Sequence, residues 1–91
     1  MINYIIYTFS SSSHAMASEI LMEKSNIKSR LIPLLPEIDA GCGLALRLDM
    51  ESRKAVEDLL KDNKFQYENR YIIEYNKESR KPVVKSYDIS R

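Results

Sequence analysis

Cysteine occurs once in this chain, histidine once and glycine twice. A lone cysteine cannot close an internal disulfide, so packing alone must hold the fold, and a reducing cytoplasm is the expected setting. One cysteine and one histidine supply too few soft ligands for a metal site, and no Cys-x-x-Cys or His-x-x-x-His spacing occurs. Phosphate-loop and dinucleotide fingerprints are also missing, so no metal and no cofactor is expected. Neither sign of charge dominates: 14 Lys and Arg against 13 Asp and Glu leave +1, too little to steer nucleic acid. No apolar run approaches the ~18 residues of a membrane span. The apolar stretch from Met1 to Phe9 has neither the basic flank nor the cleavage pattern of a signal peptide. Nucleic acid and membrane are therefore not expected as partners.

What glycine there is lies in one place. Gly41 and Gly43 flank the single cysteine, Cys42. Glycine permits positive φ and close approach to the backbone, so the triplet predicts a thiol presented by a tight turn. Cys42 is the first candidate for chemistry. A thiol merely packed at the start of a hairpin stands beside that reading, because free cysteines are often small buried hydrophobes.

At 91 residues and 44% hydrophobic, the chain suits one small domain. Residues 2–9 are β-branched and aromatic and predict a central first strand. Ser10–Ser13 and His14 supply an N-cap; Met16, Ala17, Ile20 and Leu21 then predict the buried face of a helix, stopped by Asn26. A second strand spans 27–32 and ends at Pro33. Leu44, Leu46 and Leu48 alternate as a half-buried third strand. Asp49 is expected to cap a second helix bearing Ala55, Val56, Leu59 and Leu60, with a Glu57–Lys61 pair and Asn63 as its stop. Residues 65–75 predict a fourth strand whose Tyr67, Tyr71 and Tyr75 share one side. The order predicts a ferredoxin-like βαββαβ fold: an α/β (α+β) sandwich with a four-stranded antiparallel sheet and two helices on one face. Residues 1–75 form this domain. Residues 76–91 are a charged extension in which Pro82–Tyr87 could add an edge strand and pair with the sheet or a second subunit. RNA-recognition domains share the strand order, but the third strand here has no aromatic and no RNP pattern.

The topology carries the loop between strands two and three to the end of the molecule where the first helix begins. Cys42 is thereby expected near Ser11, Ser12 and His14, at a helix N-terminus whose free N–H groups favour a thiolate. His14 could exchange a proton with the thiol, and Arg30 could add positive potential. Glu37 and Asp39 would oppose it if they turned inward. The plainer assignments are capping for the serines, a solvated first-turn ring for His14, solvated strand charges for Arg30 and Arg47, and simple turn residues for Gly41 and Gly43.

Phe9-Ser10-Ser11 with Ala15 and Glu19, then Leu31-Ile32-Pro33, Glu37-Ile38 and Cys42-Gly43-Leu44-Ala45-Leu46, resembles the selenium/sulfur carrier-like family of small bacterial and archaeal domains. The resemblance covers roughly residues 2–70. It departs at Pro36, where an Arg is common, and at Asp39-Ala40-Gly41, where small hydroxyl residues are common. It implies that Cys42 accepts sulfur or selenium as a persulfide or selenopersulfide. A donor protein and an acceptor protein are then the partners, with Ser11, Ser12 and His14 orienting or activating the thiol. A carrier or accessory protein is implied more than a self-sufficient enzyme. The alternative is a ligand-binding or adaptor module, dimeric through its sheet edge or tail, in which Cys42 is incidental.

Overall fold

The computed structural model describes residues 2–34, 43–75 and 83–86. In chain order these form β1 (Ile2–Thr8), α1 (Ser12–Lys24), β2 (Ser29–Pro33), β3 (Leu44–Asp49), a 3-10 turn (Met50–Ser52), α2 (Arg53–Asp62), β4 (Asn69–Tyr75) and β5 (Val83–Ser86). All strand pairs are antiparallel, in the order β2–β3–β1–β4–β5. The first four positions are the ferredoxin-like arrangement. β5 adds a fifth strand beside β4, with Val84 opposite Ile73. Cys42, Gly41, Glu37 and Asp39, together with most of the tail, lie outside the described residues.

Period-two alternation divides the sheet into two faces. Ile5, Tyr7 and Phe9 point with Leu46 and Leu48 toward Ala15 and Met22 of α1 and Val56 and Leu60 of α2, all buried in one cluster. Ile6, Ala45 and Ile73 form a smaller buried cluster on the other face, bordered by Ile32, Tyr71, Tyr75 and Val84. Both helices thus pack on one side.

Several local expectations need correction. α1 does not bury Met16, Ala17 and Ile20: Met16 and Ile20 are exposed, while Ala15, Ser18 and Met22 face the sheet. Ser18 tolerates burial because its hydroxyl donates to the Ala15 carbonyl at 2.6 Å, which satisfies the polar group inside the helix. The second strand begins at Ser29, two residues later than expected, and includes Pro33 as its last residue. The Leu34 N–H donates to Gly43 O, so the even-numbered residues of β2 hold the ladder. The odd-numbered ones turn their nitrogens to the free edge, where proline removes no sheet bond. Leu31 shares that phase, and its outward N–H donates to Glu19 Oε2 at 3.3 Å.

The helix stops are a repeated device. After α1, Asn26 takes φ 60, with Ile27 N–H donating to Met22 O and Asn26 N–H to Glu23 O. After α2 the corresponding residue is Lys64, φ 56, with Phe65 N–H donating to Leu60 O and Lys64 N–H to Lys61 O. Both are Schellman closures. The left-handed residue of the second is thus Lys64, one position beyond the expected Asn63, whose side-chain amide donates to Leu59 O at 2.8 Å. Asp49 opens the 3-10 turn without a side-chain capping bond, and α2 follows only at Arg53. Residues 65–68 precede β4; Tyr67 joins the helix-side core, whereas Tyr71 and Tyr75 lie on the other face.

Candidate functional site

The carboxyl end of β1 gathers Ser10, Ser11, Ser12 and His14 from among the residues that the sequence marks for chemistry. β1 runs into α1 through Phe9, Ser10 and Ser11, and Ser11 is the N-cap: its Oγ accepts the His14 backbone N–H at 3.2 Å. The same oxygen lies 2.7 Å from His14 Nδ1, with Ser10 Oγ at 3.3 Å. An aromatic chain holds the ring from beneath. Phe65 meets His14 edge-on at a centroid distance of 5.9 Å and meets buried Phe9 in the same way at 5.9 Å, geometry favoured by ring quadrupoles. His14 itself is exposed, and Ser12, in the first helical turn, is half-buried.

Gly43 belongs to this end of the molecule. Thr8 pairs with Ala45 in the β1–β3 ladder, so Ser10 and Gly43 each lie two residues beyond that pair. Gly43 has φ +78, a left-handed conformation that side chains rarely adopt, and a Cβ there would meet nothing within 4 Å. Glycine is required for the turn of the chain and not for close contact. Cys42 and Gly41, which precede it, are outside the described residues.

Arg30 is not brought to this end. It stands opposite Arg47 in the β2–β3 ladder, roughly 13 Å along the strands from Gly43 at ~3.3 Å per residue. The cation found beside His14 is Lys64, which lines a cleft of about 370 Å³ with Ser10, His14, Phe65 and Gln66. Lys64 and Phe65 escaped the sequence reading, although the Asn-Lys-Phe run after a helix is the place where a Schellman closure turns the chain back.

A second cluster lies partly buried between α2 and the sheet. Tyr7 has no exposed surface, and its hydroxyl donates to Glu57 Oε2 at 3.0 Å. The same carboxylate oxygen accepts an ionic hydrogen bond from Arg70 Nη1, and Arg53 lies 3.6 Å from Oε1. Glu57 therefore turns to Arg70 and Arg53, where an i,i+4 partner in Lys61 was expected. Burial, then the Glu57 charge and hydrogen bond, push the Tyr7 hydroxyl far above its ordinary value. Tyr67, T-shaped against Tyr7 at 4.9 Å, is raised by burial and by Glu57. For Arg70, burial lowers the pKa, but the Glu57 hydrogen bond and charge outweigh it and raise the pKa overall. A cleft of about 610 Å³ opens over this cluster between Glu57, Lys61, Lys64 and Tyr67. The cluster is an acceptor-centred lock: Glu57 binds Tyr7, Arg70 and Arg53, and no buried side-chain N or O among the described residues lacks a partner, so it holds α2 to β1 and β4.

Among the described residues, no group of three His, Cys, Asp or Glu is placed to hold a metal, and no helix is long and apolar enough to cross a membrane. The family model described as Putative Se/S carrier protein-like matches residues 3–72. No curated protein and no solved structure matches the chain.

Proposed function

The chain belongs to the family described as Putative Se/S carrier protein-like, and from that membership we propose that Cys42 is a sulfur- or selenium-carrying thiol. The observation that carries the reading is the match itself, which spans Cys42, combined with the placement of Gly43 at the end of the sheet where α1 begins. In the proposed step the Cys42 thiolate attacks the outer sulfur of a donor protein's persulfide. The donor S–S bond breaks, the donor leaves as a thiolate, and the proton stays on the transferred sulfur, so Cys42 ends as a persulfide without net redox change. Delivery repeats the exchange, with a nucleophile of the acceptor protein as attacker. A selenopersulfide follows the same bookkeeping.

Three described features suit an anionic sulfur at this end. The N-terminus of α1 presents the positive end of the helix dipole. Lys64 supplies a cation in the adjoining cleft. His14, with Nδ1 engaged by serine hydroxyls, keeps Nε2 for a partner. Ser11 and Ser12 orient the helix end and His14, and Gly41 with Gly43 gives the chain the freedom to turn around the thiol. A carrier of this kind works in a reducing cytoplasm, between a donor and an acceptor protein and without a cofactor of its own. The exposed side chains of Met16 and Ile20 and the β5 edge offer surfaces for those partners or for a second copy.

Alkylation by iodoacetamide at neutral pH tests the activation. Cys42 should react faster than an ordinary exposed thiol, and His14→Ala and Lys64→Gln should slow it. A wild-type rate no faster than that of an unactivated thiol would leave Cys42 as a packed residue of a binding module.

A further inference from the structure

Among the described residues, an unusual charge arrangement lies on the sheet face away from the helices, toward the end of β3 remote from Gly43. Arg30 and Arg47 stand directly opposite each other on β2 and β3. The Leu34-to-Gly43 hydrogen bond fixes the phase, so they form a hydrogen-bonded pair, whose Cα atoms are about 5.5 Å apart. Like charges directly opposite on one face destabilise a sheet. Lys28 adds a third cation to the same cleft, which has a volume of about 390 Å³ and is also lined by Tyr4, Ser29 and Asp49.

One of these cations is held in a defined pose. The Arg47 guanidinium lies over the Tyr4 ring, 4.3 Å from its centroid, and the edge of Tyr75 fixes that ring in turn at 5.7 Å and 80°. A guanidinium held over an aromatic face by cation–π attraction keeps its N–H donors for an anion, and its fork can grip two oxygens of one group. Arg47 is half-buried, whereas Arg30 and Lys28 are exposed. The result is one pre-set guanidinium with two adaptable cations beside it.

We propose that this cleft is a binding site for a small molecule carrying a phosphate dianion. Arg47 grips it bidentately, Arg30 and Lys28 close on it from the β2 side, and bound charge relieves the Arg30–Arg47 repulsion. Asp49, the one carboxylate among these lining residues, gives the cleft a net charge that falls from +2 toward neutral as a dianion enters. The site is separate from the Gly43 end of the sheet, and its test does not depend on sulfur transfer.

Titration of the full chain with inorganic phosphate, followed by amide NMR at constant ionic strength, tests this. Saturable shifts should centre on residues 28–30 and 47–49. Arg30→Gln should weaken the affinity at least tenfold, and Arg47→Lys should weaken it comparably although the charge is kept. Arg30 is exposed, so Arg30→Gln should also melt at the same or a higher temperature than the parent in phosphate-free buffer. Shifts reproduced by sodium chloride or acetate, unchanged affinity in Arg30→Gln, a lower melting temperature for that variant, or tighter binding of a single-stranded oligonucleotide than of phosphate would each overturn the proposal.

Discussion

Ser11 and His14 are tied twice by one oxygen: Ser11 Oγ accepts the His14 backbone N–H at 3.2 Å and lies 2.7 Å from His14 Nδ1. A hydroxyl that accepts the backbone N–H still has its own proton to give. A hydrogen bond between that oxygen and Nδ1, in either direction, fixes the orientation of the ring. Capping of α1 and orientation of the imidazole are therefore one arrangement. Ser11→Ala should lower stability by about 1 kcal/mol, the usual value of an N-cap, as read by urea denaturation. It should also slow alkylation of Cys42, whereas Ser13→Ala on the exposed side of the helix should do neither.

The Tyr7–Glu57–Arg70 lock predicts an alkaline limit to stability. The Tyr7 hydroxyl is raised above its ordinary value of 10.0 by burial and by Glu57, so in the unfolded chain it loses its proton first. The folded state then holds more protons, and its stability, complete below about pH 10, falls as pH rises through that value. The slope approaches about 1.4 kcal/mol per pH unit for one such group. Denaturation of Tyr7→Phe between pH 9 and 11.5 should show a shallower decline than the parent.

The same lock predicts unequal costs for its members. Tyr7→Phe removes a donor and leaves Glu57 with two arginines, which should cost about 1 kcal/mol. Glu57→Ala strands a buried hydroxyl and Arg70, and should cost about 2–3 kcal/mol. A double-mutant cycle of Tyr7→Phe with Glu57→Ala should show clear coupling, because both act on one carboxylate oxygen.

Left-handed backbone gives a third pair of outcomes. Lys64 holds φ 56 at the close of α2, so Lys64→Gly should raise stability by about 0.5–1 kcal/mol. Gly43 holds φ +78 with open space around it, so Gly43→Ala should lower stability by about 1 kcal/mol through backbone strain alone. Thermal denaturation reads both.

Much of the scaffold is legible in the sequence because it depends on local pattern. The alternation of Leu44, Leu46 and Leu48 and the apolar residues of 2–9 define strands whatever their neighbours. Asn26 stops α1 because its own conformation allows it. What the sequence conceals depends on partners distant in the chain. α1 buries Ser18 and exposes Ile20 because the sheet, not the mean hydropathy of its faces, decides which side turns inward, and Ser18 can bond to its own helix. The Tyr7–Glu57 contact spans 50 residues, and the facing of Arg30 with Arg47 exists only once the β2–β3 register is set. The candidate site divides in the same way: Ser11 and His14 follow from the start of a helix, while Lys64 and Phe65 reach it through the closure of α2.

The central claim concerns one sulfur atom, and the mass of the protein reads it directly. After incubation with a cysteine desulfurase and free cysteine, the intact chain should gain the mass of one sulfur. The gain should be reversed by a thiol reductant, mapped to Cys42 and absent from Cys42→Ser. An unchanged mass under conditions in which the desulfurase is itself loaded with persulfide would contradict the account.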